Sequence, residues 1–168
     1  VRVPPPVLIV IIMYKIFCDM DGVLTDFEQQ FKDHYTWSPK QYIDKNGKNE
    51  FWKAVDELGL SFWEQMEWMP EGKKLWEAIK DKNVEILSSP SQSETSRIGK
   101  RNWVRFNIFG TKLTLCHSSR KQYFSEPYAI LIDDRKDTID AWNERGGGGI
   151  LFKSTDQVLD ELRHLKVI

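Results

Sequence analysis

The chain has 168 residues, 40% of them hydrophobic and 29% charged, a composition that suits one soluble globular domain with a core of its own and room for a small insertion. Its formal net charge of −1 argues against a surface devoted to long nucleic acid and leaves only a local basic face open. The two cysteines, Cys18 and Cys116, make neither a disulfide framework nor a zinc site, and in their apolar runs they read as small buried hydrophobes of a reducing, cytoplasmic compartment.

Val7 to Met13 is continuously apolar and follows Pro4-Pro5-Pro6. Extended to Phe17, the run is still too short and interrupted to span a bilayer, which takes about 20 apolar residues. It has the length of a signal-peptide core but lacks a small-residue cleavage site. Met13 reads as the natural start and residues 1–12 as an upstream extension; the alternative is that Val7–Ile12 lengthens the first strand. The strand itself runs through Tyr14–Cys18 and stops at two carboxylates, Asp19 and Asp21, after which Gly22 lets the chain turn sharply. Aspartate is a poor strand former, so this pair reads as a site. In open α/β sheets, ligands gather outside the carboxyl ends of the strands.

From Thr25 the pattern turns helical, with Phe27, Phe31 and His34 or Tyr35 recurring at spacings of three and four. Trp37-Ser38-Pro39 breaks it and Asn46-Gly47 signals a turn. A second helix is predicted over Asn49–Leu58, stopped by Gly59, and a short third around Phe62–Glu67. Pro70 then opens a helix through Lys82, with Leu75 and Ile79 facing inward. Ten of the 21 aromatic residues fall between Phe27 and Trp68. Most of them must form the core of a small helical subdomain. One to three could instead stack on a flat ligand such as a nucleobase, a contact worth about 1–3 kcal/mol per base.

Val84–Ser88 is a short buried strand ending in two hydroxyls, Ser88 and Ser89. Ser91-Gln92-Ser93-Glu94 fits a capping box and starts a helix to about Phe106. Arg97, Arg101 and Arg105 lie four apart on it, a stripe that reads as a solvated face, with phosphate attraction or a subunit contact as the alternative. The alternation Lys112–Cys116 leads into His117 to Lys121, and Tyr128–Ile132 runs into Asp133-Asp134-Arg135. A helix around Thr138–Asn143, a flexible Gly146–Gly149 turn, a strand Ile150–Phe152 and a helix Thr155–Leu165 complete the chain. The glycines lack dinucleotide-binding spacing. The three histidines show no metal-ligand spacing; His117 could reach the site, though a structural role suits it better. No nucleophile elbow supports a Ser-His-Asp triad.

The alternation of strand and helix predicts a parallel sheet covered on both faces. Its carboxyl edge would collect Asp19 and Asp21, Ser88 and Ser89, and Asp133 and Asp134. Four converging carboxylates need a counter-charge, and oxygen-only ligands favour a hard cation, Mg²⁺ above all. Hydroxyls and Lys121 suit phosphoryl oxygens, and an aspartate can serve as nucleophile. Together they point to phosphoryl transfer.

These residues give the chain its resemblance to the haloacid dehalogenase (HAD) superfamily of phosphohydrolases. Four motifs appear in order: Asp19-Met20-Asp21-Gly22-Val23-Leu24-Thr25, Ile86-Leu87-Ser88, Lys121, and Ile132-Asp133-Asp134. Within that superfamily the chain most resembles the 5'(3')-deoxyribonucleotidases, through the first motif running on to Asp26-Phe27, the aromatic helical segment, Met69-Pro70-Glu71-Gly72, Ser88-Ser89-Pro90 and Ile132-Asp133-Asp134-Arg135. The resemblance implies a Rossmann-like three-layer α/β/α parallel sheet, with residues 13–26 and 70–168 as core and 27–69 as a small helical cap inserted after the first strand. It implies Asp19 as nucleophile and Mg²⁺ ligand, and Asp21 as acid/base whose backbone carbonyl also binds metal. Ser88 and Lys121 would hold phosphoryl oxygens, and Asp133 and Asp134 would complete the metal site, with Asp137 farther out. Ser89, Gly22, Phe27 and Trp63 would contact substrate. Neighbouring negative charge and cap closure would keep a proton on Asp21.

The substrate so implied is a small phosphomonoester, a nucleoside monophosphate, acted on by a protein that is not membrane-bound and has room to form a homodimer. Alternatives are a HAD phosphatase for another small phosphoester or a nucleic-acid 3'-phosphate end, and a non-catalytic binding protein with this fold.

Overall fold

The structure is a computed structural model and describes residues 12–168. The expectations for an N-terminal extension or a lengthened first strand lie outside the described residues. Five parallel strands, β1 (Lys15–Cys18), β2 (Val84–Ser88), β3 (Leu113–Leu115), β4 (Ala129–Asp133) and β5 (Gly148–Leu151), form one sheet in the order β3-β2-β1-β4-β5. The chain builds outward from β1 through β2 to β3, then crosses back to start β4 on the other side of β1. Cys18 is registered with Ile86 of β2 and Ile132 of β4, so Asp19 and Asp133 lie side by side where the winding reverses, with Ser88 one residue further along its strand. Crevices at such switch points are where open α/β sheets bind ligands.

Strand residues alternate between two cores, as the pleat requires. Ile16, Cys18, Ile86, Ile130, Ile132 and Ile150 face α5 (Gly72–Ile79), α6 (Glu94–Asn107) and α8 (Thr155–His164), burying Leu75, Ile79, Trp103, Val158 and Leu162. Phe17, Leu87 and Leu131 face α7 (Lys136–Glu144) through Ile139 and Trp142. A 3₁₀ helix over Ser118–Phe124 packs beside α7 and carries Lys121. Both faces are covered, as the three-layer reading requires.

Between β1 and α5 stand four helices: α1 (Phe27–Tyr35), α2 (Pro39–Asn46), α3 (Lys48–Glu57) and α4 (Gly59–Glu64). Their core is aromatic, built on Phe31, Phe51 and Phe62, with Tyr35 and Tyr42 packed against it. Several expected boundaries move. Residues 39–46 are helical because Ser38 and Gln41 form a capping box with Pro39 in the first turn, so the expected break is a restart. Gly59, expected as a stop, opens α4. The cap of α6 is Ser93, which accepts from the Thr95 N–H, rather than Ser91. Gly148 and Gly149 are strand residues paired with Ile130 and Leu131, not a flexible turn. Among the described residues no helix is long and apolar enough to cross a membrane.

Candidate active site

The strand ends assemble a charged cluster under a cleft of about 1420 Å³. Asp19 follows β1 and is 6% exposed, while Asp133 closes β4 fully buried. Lys121, 3% exposed, stands between them, its Nζ 2.8 Å from Asp19 Oδ1 and 2.7 Å from Asp133 Oδ2. Asp133 Oδ1 also accepts from the Arg135 N–H at 2.9 Å, so both its oxygens are engaged. Asp134 faces the cleft and lies against Gly22. There φ is +82°, and a Cβ would stand 2.2 Å from Asp134 Oδ2, so only glycine fits both the turn and the carboxylate.

Burial dominates the electrostatics. It pushes the Asp19 carboxyl up to about 7, against Lys121 and helped by Asp133 and Asp21. Desolvation, then Asp133 alongside, raises Asp134 to about 6. Burial works against the Lys121 ammonium too, but the two carboxylates outweigh it and hold its pKa above the usual lysine range. One lysine thus serves a site richer in negative charge than in positive. Asp19, Asp133 and Asp134 each offer an oxygen, all within 4.8 Å of one another. An all-oxygen donor set with unbalanced negative charge fits a hard divalent cation such as Mg²⁺.

Asp21 is held from both sides. Thr25 Oγ1 donates to its Oδ1 at 2.9 Å, and Lys100 Nζ, from α6, reaches its Oδ2 at 2.5 Å. Lys100 also donates to Ser88 Oγ at 3.1 Å. The surroundings of Asp21 therefore include an ammonium and a hydroxyl that fix both its carboxyl oxygens.

No protein-family model and no curated protein matches this sequence. Solved structures do. A haloacid dehalogenase-like family hydrolase from Xanthomonas campestris matches at TM-score 0.61 and 10% identity, over 91% of both chains. A HAD phosphatase from Thermococcus onnurineus matches at 0.58 and 11%, over 89% of this chain and 98% of its own. A HAD hydrolase from Bacillus subtilis, described as bound to magnesium, matches at 0.52 and 12%, over 93% and 100%. The fold is that of the HAD hydrolases.

On this HAD-like framework the expected site residues separate. Asp19, Asp21, Gly22, Ser89, Lys121 and Asp134 line the cleft with Phe27. Ser88 does not: it is fully buried, its Oγ turned under the sheet edge to Lys100. Ser89 Oγ is buried without a hydrogen-bond partner, so of the two hydroxyls it is the one with a free donor beside the cleft. Trp63 also departs from expectation. It is 1% exposed and packs over Lys100, with Nζ 5.2 Å from the ring centroid. Phe27 does reach the cleft, but its aromatic neighbour there is Trp52, 36% exposed with centroids 6.2 Å apart.

His117 lines the cleft and caps the 3₁₀ helix, its Nδ1 accepting from the Ser119 N–H at 3.3 Å. Asp137 pairs with Arg135 away from the cluster. Arg97 and Arg101 lie near Glu94, at 3.7 and 3.9 Å, and none of the three stripe arginines lines the cleft. Burial raises both cysteine thiols, which suits inert core residues.

Proposed function

We propose that the protein is a Mg²⁺-dependent phosphomonoesterase working through an aspartyl-phosphate, and that its substrates are (deoxy)nucleoside monophosphates. The observation that carries this reading is the convergence of Asp19, Asp133, Asp134 and Lys121 at the floor of a cleft walled by Phe27 and Trp52. Asp19 and Asp134 would hold the cation, with the Asp21 carbonyl, while Asp133 fixes Lys121. When bound, Mg²⁺ supplies charge neutralisation for the phosphoryl oxygens.

The chain's own groups do the rest. An Asp19 oxygen attacks phosphorus, forming the acyl phosphate as the ester P–O bond breaks. Lys121 and the Ser89 hydroxyl bind phosphoryl oxygens whose charge spreads in the transition state. Asp21, in its protonated form, passes its proton to the departing alkoxide. It then removes a proton from the water that attacks phosphorus, releasing phosphate and restoring Asp19. Residues 27–69 act as the cap that chooses the leaving group, Phe27 and Trp52 offering rings to a base. The cleft exceeds the usual span of about 300–1,000 Å³ for small-molecule sites, which leaves room for a nucleoside beyond the phosphate.

The test is phosphate release by purified protein with Mg²⁺ from deoxynucleoside and ribonucleoside monophosphates, sugar phosphates, phosphoserine and a 3'-phosphorylated oligonucleotide. Preference for the nucleoside monophosphates is expected. Activity confined to sugar phosphates or phosphoserine overturns the nucleotidase reading, and no activity on any of them favours a binding protein. The arginine stripe that could attract a nucleic-acid backbone stands away from the cleft, which counts against an oligonucleotide substrate.

A further inference from the structure

Lysine is among the residues least often fully buried, because an ammonium without partners in the interior is expensive. Lys100 sits within α6 and is 0% exposed. Its surroundings come from three separate parts of the chain: Asp21 in the turn after β1, Ser88 at the end of β2, and the Trp63 ring from α4. The seam that holds it is tight. A Cβ on the adjacent Gly99 would meet Trp63 Cβ at 2.3 Å, so α4 and α6 touch backbone to side chain. Asn102 donates to Glu64 Oε2 at 2.9 Å, and Trp103 Nε1 to the Met66 carbonyl at 2.8 Å. Lys100 is therefore a fixed point.

Asp21 is not. Its side chain is 26% exposed and stands on a turn. With Thr25 alone on Oδ1 the carboxyl group could swing about that single bond. The Lys100 contact on the other oxygen fixes its plane. We propose that Lys100 is the positioning residue for Asp21: it aims the carboxyl group at the leaving-group oxygen and, through Ser88, ties that aim to the end of β2. This rests on the reading above, in which Asp21 protonates the departing alkoxide.

A misaimed acid matters in proportion to the leaving group's need for a proton. An alkoxide leaves only with one, whereas p-nitrophenolate is stable enough to leave without. The experiment compares wild type with K100M, which keeps side-chain length and removes the charge, on a nucleoside 5'-monophosphate and on p-nitrophenyl phosphate, with Mg²⁺. General acid catalysis contributes about 10²–10⁴-fold, so kcat on the nucleotide should fall about 100-fold and on the aryl ester less than about tenfold. KM should change less than about threefold, since the phosphate-binding groups are untouched. In a D21N background K100M should cost nothing further.

Equal losses on the two substrates, or an independent loss in D21N, would make Lys100 a structural filler and overturn the proposal. If K100M does not fold, K100R carries the test. It keeps the positive charge and can still bond Asp21, so it should retain most of the activity on the nucleotide, and a loss as complete as that of an unfolded K100M would count against the proposal. A wild-type protein inactive on both esters refutes the phosphatase reading itself; an active one with equal losses refutes only the role of Lys100.

Discussion

Replacing Lys121 by methionine removes the one ammonium between two buried carboxylates while nearly preserving volume. In the protein as it stands, Nζ lies 2.8 Å from Asp19 and 2.7 Å from Asp133, and the three side chains are 3%, 8% and 0% exposed. Removing one member of a buried ion pair costs about 3–5 kcal/mol, and this lysine serves two carboxylates, so about 4 kcal/mol is expected near pH 8 in the absence of divalent cation. The loss should depend on pH in a stated direction. Asp19 has a folded pKa of about 7, above its unfolded value of about 3.9. The folded state thus binds more protons between those values, and stability falls as pH rises through the window. Without Lys121 the Asp19 carboxyl is pushed higher still, so protonation relieves more of the strain at low pH. Urea unfolding of wild type and K121M, in chelator, at about pH 5 and about pH 8, should give a penalty smaller by at least about 1 kcal/mol at the lower pH. A penalty below about 1 kcal/mol at the higher pH, or one that does not change with pH, would refute the charge arrangement described here.

Mg²⁺ should raise the wild-type melting temperature more at about pH 8 than at about pH 5, because Asp19 (about 7) and Asp134 (about 6) are protonated at the lower pH and must release protons to bind a cation; a pH-independent gain in differential scanning fluorimetry would count against these ligands. Asp19→Asn should abolish phosphate release, and a competent variant would require another nucleophile. Gly22→Ala forces a left-handed backbone onto alanine and a Cβ onto Asp134, so it should lower stability by about 1–2 kcal/mol and weaken Mg²⁺ binding measured by calorimetry. Trp52→Ala and Trp63→Ala should part company. The first should raise KM for a nucleotide about tenfold, from one lost stacking contact, and the second should cost about 3–5 kcal/mol of stability as a buried large-to-small change; the reverse pattern would exchange their roles.

The strands were legible because parallel strands buried on both faces read as apolar runs, and because an aspartate directly after such a run has no structural reason to be there. That signal marked Asp19, Asp133 and Asp134, three carboxylates that the structure brings within 4.8 Å of one another. Ser88 and Ser89 could have been separated by parity alone. Ser88 shares the face of Ile86, under α6, whereas Ser89 stands one residue on, where the strand has ended. The aromatic segment was harder, since α3 and α4 carry aromatics on more than one face, and helical spacing does not say which face meets the core. Trp52 and Phe51 are adjacent, one exposed and one buried, and Trp63 is placed by its packing on α6 rather than by anything in its own helix.

Lys100 gave no signal at all. On a helix with Arg97, Arg101 and Arg105, another cation reads as one more solvated charge, and the partner that makes it different, Asp21, is 79 positions away. The distinction is physical. In an open α/β sheet the ligand site lies at the carboxyl ends of the strands, and a carboxylate placed there shows in local sequence. A residue that sets another's orientation needs only to be near it in space, and can stand on any element that tertiary packing brings alongside. In this protein the clustered carboxylates stand at the strand ends, while Lys100, which holds Asp21, comes from a helix face whose sequence looks like surface.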